Sequence, residues 1–358
     1  MERAGTAFEW GSDLGLFYSG LFNFYQYAAF EVKKQFLAFV NDNVLKLEKE
    51  LLICLPGFLL CMIPALEDQN SELLRRVEGI LAQTEKIVGT SKFFGEIWKT
   101  MIRTPRARLS AIKFLDRKIP KSTKQAAALL DAGQGQSKIC ASRYDQVIRH
   151  GKMIVEDAQD PKYSAAKPEF FREEQAKLQL LQQNDLEAYC HFYYPNREHL
   201  VINALLKGLA IQDNMDNPVY VNRATFDFLI THLPIACEIL SDEEKIRLSE
   251  AALLNLKLRD FASHKKFFAW FMGHLDDEEV EPPADDPAIR AIVPALRRIF
   301  LRFRDVRPQS TSGFQQEQAR YSFEIHTPVA LLVTLFDQNL TVARPIIRQI
   351  TVDLVRFI

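Results

Sequence analysis

The sequence predicts an all-α protein, a HEAT/armadillo-like helical-repeat solenoid interrupted by a polar helical insertion. Three observations carry that expectation. Apolar residues recur at helical spacing along most of the chain and almost never alternate with period two. Two windows far apart in sequence share one arrangement of proline, alanine and apolar stripe. The breaks between periodic segments are polar and rich in turn residues, as in arrays whose units touch only their neighbours and tolerate insertions.

The helical segments run approximately over 13–48, 50–66, 73–88, 91–102, 105–119, 200–212, 218–233, 242–257, 262–275, 288–304 and 328–356. In 73–88 the residues Leu73, Leu74, Val77, Ile80, Leu81, Thr84, Ile87 and Val88 trace a single helix face. The paired windows are 102–120 and 214–234. In each, Pro105 or Pro218 opens a helix at its first turn, where the missing N–H has no intrahelical partner anyway. Ala111 or Ala224 follows as the position of close helix approach, and the stripes match as Phe114, Leu115, Ile119, Pro120 against Phe228, Leu229, Leu233, Pro234. This is the pattern of the second helix of a HEAT or armadillo unit, with a weaker third copy from Ser263. Segments 1–130 and 198–275 are therefore read as helical repeats and 288–358 as further ones. Between them lie a polar insertion at 131–197, with one helix from about 169 to 190, and an acidic, proline-containing linker at 276–287.

Composition narrows the function classes. The chain of 358 residues is 47% hydrophobic and 25% charged, enough to bury a large core. With 45 Lys and Arg against 46 Asp and Glu the net charge is -1, so any electrostatic binding must be local. Cys54, Cys61, Cys140, Cys190 and Cys237 form no compact metal spacing and suit a reducing compartment, with Cys54 and Cys61 as core residues of one helix face. The start of the sequence has no apolar signal core, and the runs 14–30 and 51–66 are too polar or too short and broken to span a bilayer. A cytoplasmic location is expected.

Catalytic patterns are missing. The sequence contains no phosphate-binding loop, nucleophile elbow, HExxH or calcium loop, and Gly133 and Gly135 stand alone in a polar loop. Neither catalytic residues, cofactors nor metals are expected. Glu187, Cys190, His191 and His199 make the best metal candidate, but packing of a helix end by Phe192, Tyr193 and Tyr194 is the preferred reading.

Charge clustering says more. Lys99, Arg103, Arg106, Arg108, Lys113, Arg117, Lys118, Lys121 and Lys124 fall in 26 positions with one acid, Asp116. They are the candidate lipid or partner contact, since each basic group near an anionic membrane is worth about 1 kcal/mol. Arg297, Arg298, Arg302, Arg304 and Arg307 form a second stretch, and pairing with the acidic linker at 276–286 is the competing reading. Nucleic acid is not expected, because no aromatics interleave with the basic run. Near the start, Glu9, Trp10 and Asp13 resemble the tryptophan-acidic peptides that bind kinesin light chains, departing from them at Gly11. Trp10 as a cap on the first core helix is preferred.

Three blocks carry a family resemblance: LFYSGLF at 16–22, LPGFLLCMIPALED at 55–68 and RLSAIKFL at 108–115. With their surroundings, and with 198–274, they resemble the N-terminal domain of the Dopey family, in the right order. The resemblance implies a non-catalytic scaffold for protein partners, peripheral on Golgi and endosome membranes. Its implied partners are an Arf-exchange-factor-related scaffold and kinesin light chain, with peripheral contact to anionic membrane as an alternative role. The chain is far shorter than such proteins, and the insertion interrupts the domain.

Overall fold

The computed structural model describes residues 18, 20, 21, 25, 27–68, 70–121, 186–210, 218–257, 260–273, 282–304, 331–335 and 340–357. All regular elements among the described residues are helical. The α-helices are α1 Phe30–Phe39, α2 Leu51–Met62, α3 Ser71–Val88, α4 Thr90–Arg103, α5 Arg108–Lys118 and α6 Leu186–Tyr193. They continue as α7 Ile202–Leu209, α8 Pro218–His232, α9 Asp242–Leu254, α10 Phe261–Met272, α11 Pro287–Arg304 and α12 Leu340–Phe357. Two compact units result, one of Met1–Glu96 with Arg117–Asn196 and one of Ile97–Asp116 with Arg197–Ile358.

In the first unit, the helix expected over 13–48 is not regular. After α1 the chain passes through a π turn at Val40–Val44 and a 3-10 segment at Leu45–Glu50. The polar run Asn41, Asp42, Asn43 accounts for the change. Asn43 donates its side-chain amide to the Phe39 carbonyl at 3.1 Å and Asn41 donates to Asp42 at 3.1 Å, local bonds that compete with the regular ladder. The apolar run 51–66 becomes α2 and a 3-10 turn at Pro64–Glu67, with Cys54, Phe58, Leu59, Cys61 and Met62 buried. No helix among the described residues is long and apolar enough to cross a membrane. Tyr18 packs edge-on against Phe58 at 5.4 Å, while Lys33 sits over the Tyr25 ring at 5.4 Å and donates to Asp68 at 2.7 Å. Burial pushes the Cys54 thiol up to about 11 and the Cys61 thiol up to about 12. Helix α3 starts where Asn70 accepts the backbone N–H groups of Glu72 and Leu73, and ends at Gly89, whose φ of 87° an L side chain rarely adopts.

Residues 131–185 of the expected insertion lie outside the described residues. Its end, α6, is core in the first unit. Ala188, Tyr189, Phe192, Tyr193 and Tyr194 are buried, Tyr193 packs against Phe94 at 5.1 Å, and the Tyr189 hydroxyl donates to the Pro120 carbonyl.

The described helices of the second unit pack on one another in pairs. Helix α7 packs on α8 and α9, α9 on α11, and α11 on α12, while α8 packs on α10. Trp98 packs edge-on against Phe228 at 5.6 Å, and the Trp270 indole N–H donates to the Leu233 carbonyl at 2.9 Å. Ser241 and Glu244 form a reciprocal capping box at the start of α9, and Asp260 caps α10 through the Ser263 N–H.

The paired windows agree only in part. Pro218 opens α8, whereas Pro105 opens a 3-10 turn, Pro105–Ala107, that leads into α5. Phe114, Leu115 and Ile119, like Phe228, Leu229 and Leu233, are buried, but Pro120 is buried while Pro234 is exposed. Ala111 is buried, whereas Ala224 is only half-buried. Close approach in the second window falls one residue later: a Cβ added at Gly208 would meet Thr225 Oγ1 at 2.5 Å.

Candidate partner-binding surface

The basic run is shaped by one proline. Pro105 forces the residue before it out of the helical region, so α4 stops at Arg103 and Thr104 is extended at φ -123° and ψ 98°. The chain re-enters a helix at once, and the residues on either side of the break face outward: Arg103 and Arg106 are exposed. Lys99, one turn before Arg103 on α4, is half-buried, and Lys113 on α5 is exposed. These four cations belong to the second unit. In the first unit Arg117, Lys118 and Lys121 are exposed, and Arg117 pairs with Glu78 at 3.0 Å. Lys124 lies outside the described residues, as do Glu9, Trp10 and Asp13 of the motor-peptide reading.

Arg108 does not belong to this surface. Only 2% of it is exposed, on the face of α5 that also buries Ala111, Ile112 and Leu115. Its Nε donates to the Met101 carbonyl at 2.7 Å, and its terminal nitrogens reach the Ile102 and Lys207 carbonyls at 3.4 Å each. A helix leaves its last carbonyls without intrahelical donors, and a planar guanidinium can serve several. Arg108 thus ties the end of α4 to the end of α7. Burial lowers its pKa from the ordinary guanidinium value. The same terminus of α7 receives more donors, because Asn222 and Asn255 both donate to the Leu209 carbonyl, at 3.3 and 2.8 Å. Sequence reading missed this clamp; the signal available was polar residues at apolar positions of amphipathic helices.

The second arginine stretch is also internal fitting. Arg298 makes two bonds to Glu243, at 2.8 and 2.7 Å, Arg302 reaches Glu250 at 3.7 Å, and Arg290 pairs with Asp242. These partners lie on α9. Asp286, the linker's last acid, accepts the Ala288 N–H at 2.8 Å at the start of α11. The Arg298 bonds hold the Glu243 carboxyl below its usual range. The Arg297 guanidinium donates to the Gln349 carbonyl on α12 at 2.9 Å. Arg307 and the Arg304 side chain lie outside the described residues.

Among the described residues no three His, Cys, Asp or Glu side chains gather to hold a metal. Glu187, His191 and His199 are exposed and Cys190 half-buried; His191 contributes its carbonyl to the Ser91 hydroxyl at 2.9 Å. His232 is buried, its Nε2 lying 3.1 Å from the Asp116 carbonyl and its ring 4.7 Å from that of Phe228.

Comparison with known families decides the affiliation. The family model described as Dopey, N-terminal, matches residues 6–276. The chain belongs to the Dopey family. The bounds of the Dopey match take in 131–197, the stretch read as an insertion. Mouse protein DOP1B is 31% identical over 137 residues, 37% of this chain and 6% of that protein. Protein pad-1 of Caenorhabditis briggsae is 30% identical over 264 residues, 73% of this chain and 8% of that protein. The DOP1 homologue of Drosophila pseudoobscura pseudoobscura is 20% identical over 312 residues, 84% of this chain and 9% of that protein. The matched part thus spans less than a tenth of each of these Dopey relatives. No solved structure matches the chain.

Proposed function

We propose that the chain is a non-catalytic helical-repeat scaffold that docks protein partners in Golgi and endosome traffic. The observation that supports it is the packing of the second unit, where α7, α9, α11 and α12 follow one another in one file and α8 and α10 in another. A HEAT/armadillo-like solenoid packs each helix against its counterpart in the next unit, as α7 against α9 and α8 against α10 do, and such arrays offer extended surfaces instead of catalytic clefts. In this reading the residues 131–197 are an insertion within the array, and the partner is an Arf-exchange-factor-related scaffold or kinesin light chain. The test is a titration of the purified chain against each immobilised partner at physiological salt. Saturable binding by a folded chain supports the reading; absence of binding to both rejects it for these residues.

A second reading, peripheral contact with anionic membrane, is favoured by the exposure of Arg103, Arg106, Lys113, Lys118 and Lys121. Co-sedimentation with phosphatidylserine vesicles should then fall steeply with salt and be lost in Arg103→Glu/Arg106→Glu. Arg108 is unsuitable for that test because its reversal would disturb the core.

A further inference from the structure

We propose that Thr104 is a phosphorylation site for a proline-directed serine/threonine kinase, and that a phosphate there weakens the basic surface of the second unit. The sequence holds two Thr-Pro pairs, Thr104-Pro105 and Thr327-Pro328, and the first falls in the middle of the basic run. Four features suit it to this role. Thr104 is the single residue joining α4 to the turn Pro105–Ala107, and its backbone is extended, φ -123° and ψ 98°, between helical neighbours. Its hydroxyl makes no capping bond, although Thr at this position commonly makes one. Pro105, which such a kinase reads, is exposed, and Thr104 itself is half-exposed. Arg103 and Arg106, exposed on either side, are the groups that stabilise a phosphate once it is formed.

The step balances with ATP as co-reactant. A bond forms between Thr104 Oγ and the γ-phosphorus, the bond from that phosphorus to the bridging oxygen breaks, and ADP leaves. The hydroxyl proton passes to the base of the kinase. The product carries about -1.5 to -2 at neutral pH in a run that holds Lys99, Arg103, Arg106 and Lys113, and so lowers the positive charge of this surface. The effect on membrane contact rests on the basic-surface reading; the modification itself does not.

The experiment incubates the full chain with ATP and a cyclin-dependent kinase, then locates phosphate by peptide mass spectrometry. The expected result is one phosphoryl group on Thr104, lost in Thr104→Ala and retained in Thr327→Ala. Because Thr104 makes no capping bond, Thr104→Ala should fold, and its unchanged melting temperature provides the control. No phosphate on Thr104 of the folded chain, while a peptide of residues 98–110 is modified, overturns the proposal by showing that the fold seals the site. The phosphorylated chain is then compared with the unmodified one on phosphatidylserine vesicles. Retention should drop on the order of tenfold. Equal retention by both forms, from a chain that does bind, overturns the regulatory half. A chain that binds no vesicles in either form overturns the regulatory half too, together with the basic-surface reading, and leaves the mass result to decide the modification.

Discussion

The stretches 99–121 and 290–302 both carry clustered basic residues on helices, the first Arg and Lys and the second Arg alone, yet the molecule uses them differently. The second faces α9, whose outer positions carry Asp242, Glu243 and Glu250, and its arginines are spent in a ladder of ion pairs between helices. The first presents Arg103, Arg106 and Lys113 to solvent, leaves Lys99 half-buried and buries Arg108, which meets helix-end carbonyls. The difference lies in what packs opposite. Arg108 and Arg298 act as fastenings because the helices opposite supply carbonyls or acids to them.

Removing the fastening of the first stretch should have the largest effect. Arg108→Ala leaves the Met101, Ile102 and Lys207 carbonyls short of a donor and opens a void, and should cost about 3 kcal/mol by urea denaturation. Arg108→Lys should recover only part of this, because an ammonium lacks the fork that reaches several carbonyls.

The clamp depends on α7 lying close to α8, and Gly208→Ala tests that spacing. The new methyl would meet Thr225 Oγ1 at 2.5 Å and its methyl at 3.2 Å, and should destabilise by about 1–3 kcal/mol. Adding Thr225→Ala should restore most of the loss. Calorimetry of both single variants and the double variant measures the coupling.

Acid should undo the paired carboxylates. The hydrogen bond from Arg223 holds Asp260 well below the usual range, and the Arg298 bonds depress Glu243. Burial acts to raise Asp68, but the Lys33 bond and the Asn70 N–H outweigh it and lower it. A depressed carboxyl contributes fully above its unfolded value of about 4 and loses that contribution as pH falls through the folded value. The melting temperature should therefore be flat from pH 7 to about pH 5 as far as these groups set it, and fall below about pH 4. Asp260→Asn should flatten that fall.

The ladder of the second stretch should matter least. Arg298 and Glu243 are both well exposed, so a double-mutant cycle with Arg298→Ala and Glu243→Ala should give a coupling of about 0.5 kcal/mol that shrinks in high salt.

Much of the helical pattern was legible from the period of its apolar residues: α3, α4, α8, α10 and α11 begin and end close to where the spacing places them. What period alone does not show is the local competition that breaks a helix. The polar run Asn41, Asp42 and Asn43 diverted the segment after α1, with the Asn43 side chain bonded to the Phe39 carbonyl and Asn41 to the Asp42 side chain, an effect of three polar residues inside a long apolar wave. The candidate surface was legible as composition, not as orientation. Counting basic residues grouped Arg108 with Arg106, although two positions along a helix turn a side chain to a different face. The partners of the 290–302 arginines were equally hidden, because α9 and α11 are brought together by packing that charge counts do not encode.

The separation of surface from fastening is tested most directly by urea unfolding of the native chain, Arg103→Glu/Arg106→Glu and Arg108→Ala side by side. The account predicts that the double charge reversal leaves the midpoint within about 0.5 kcal/mol of the native chain while Arg108→Ala lowers stability by about 3 kcal/mol. Equal losses in the two variants, or a greater loss in the charge reversal, would contradict it.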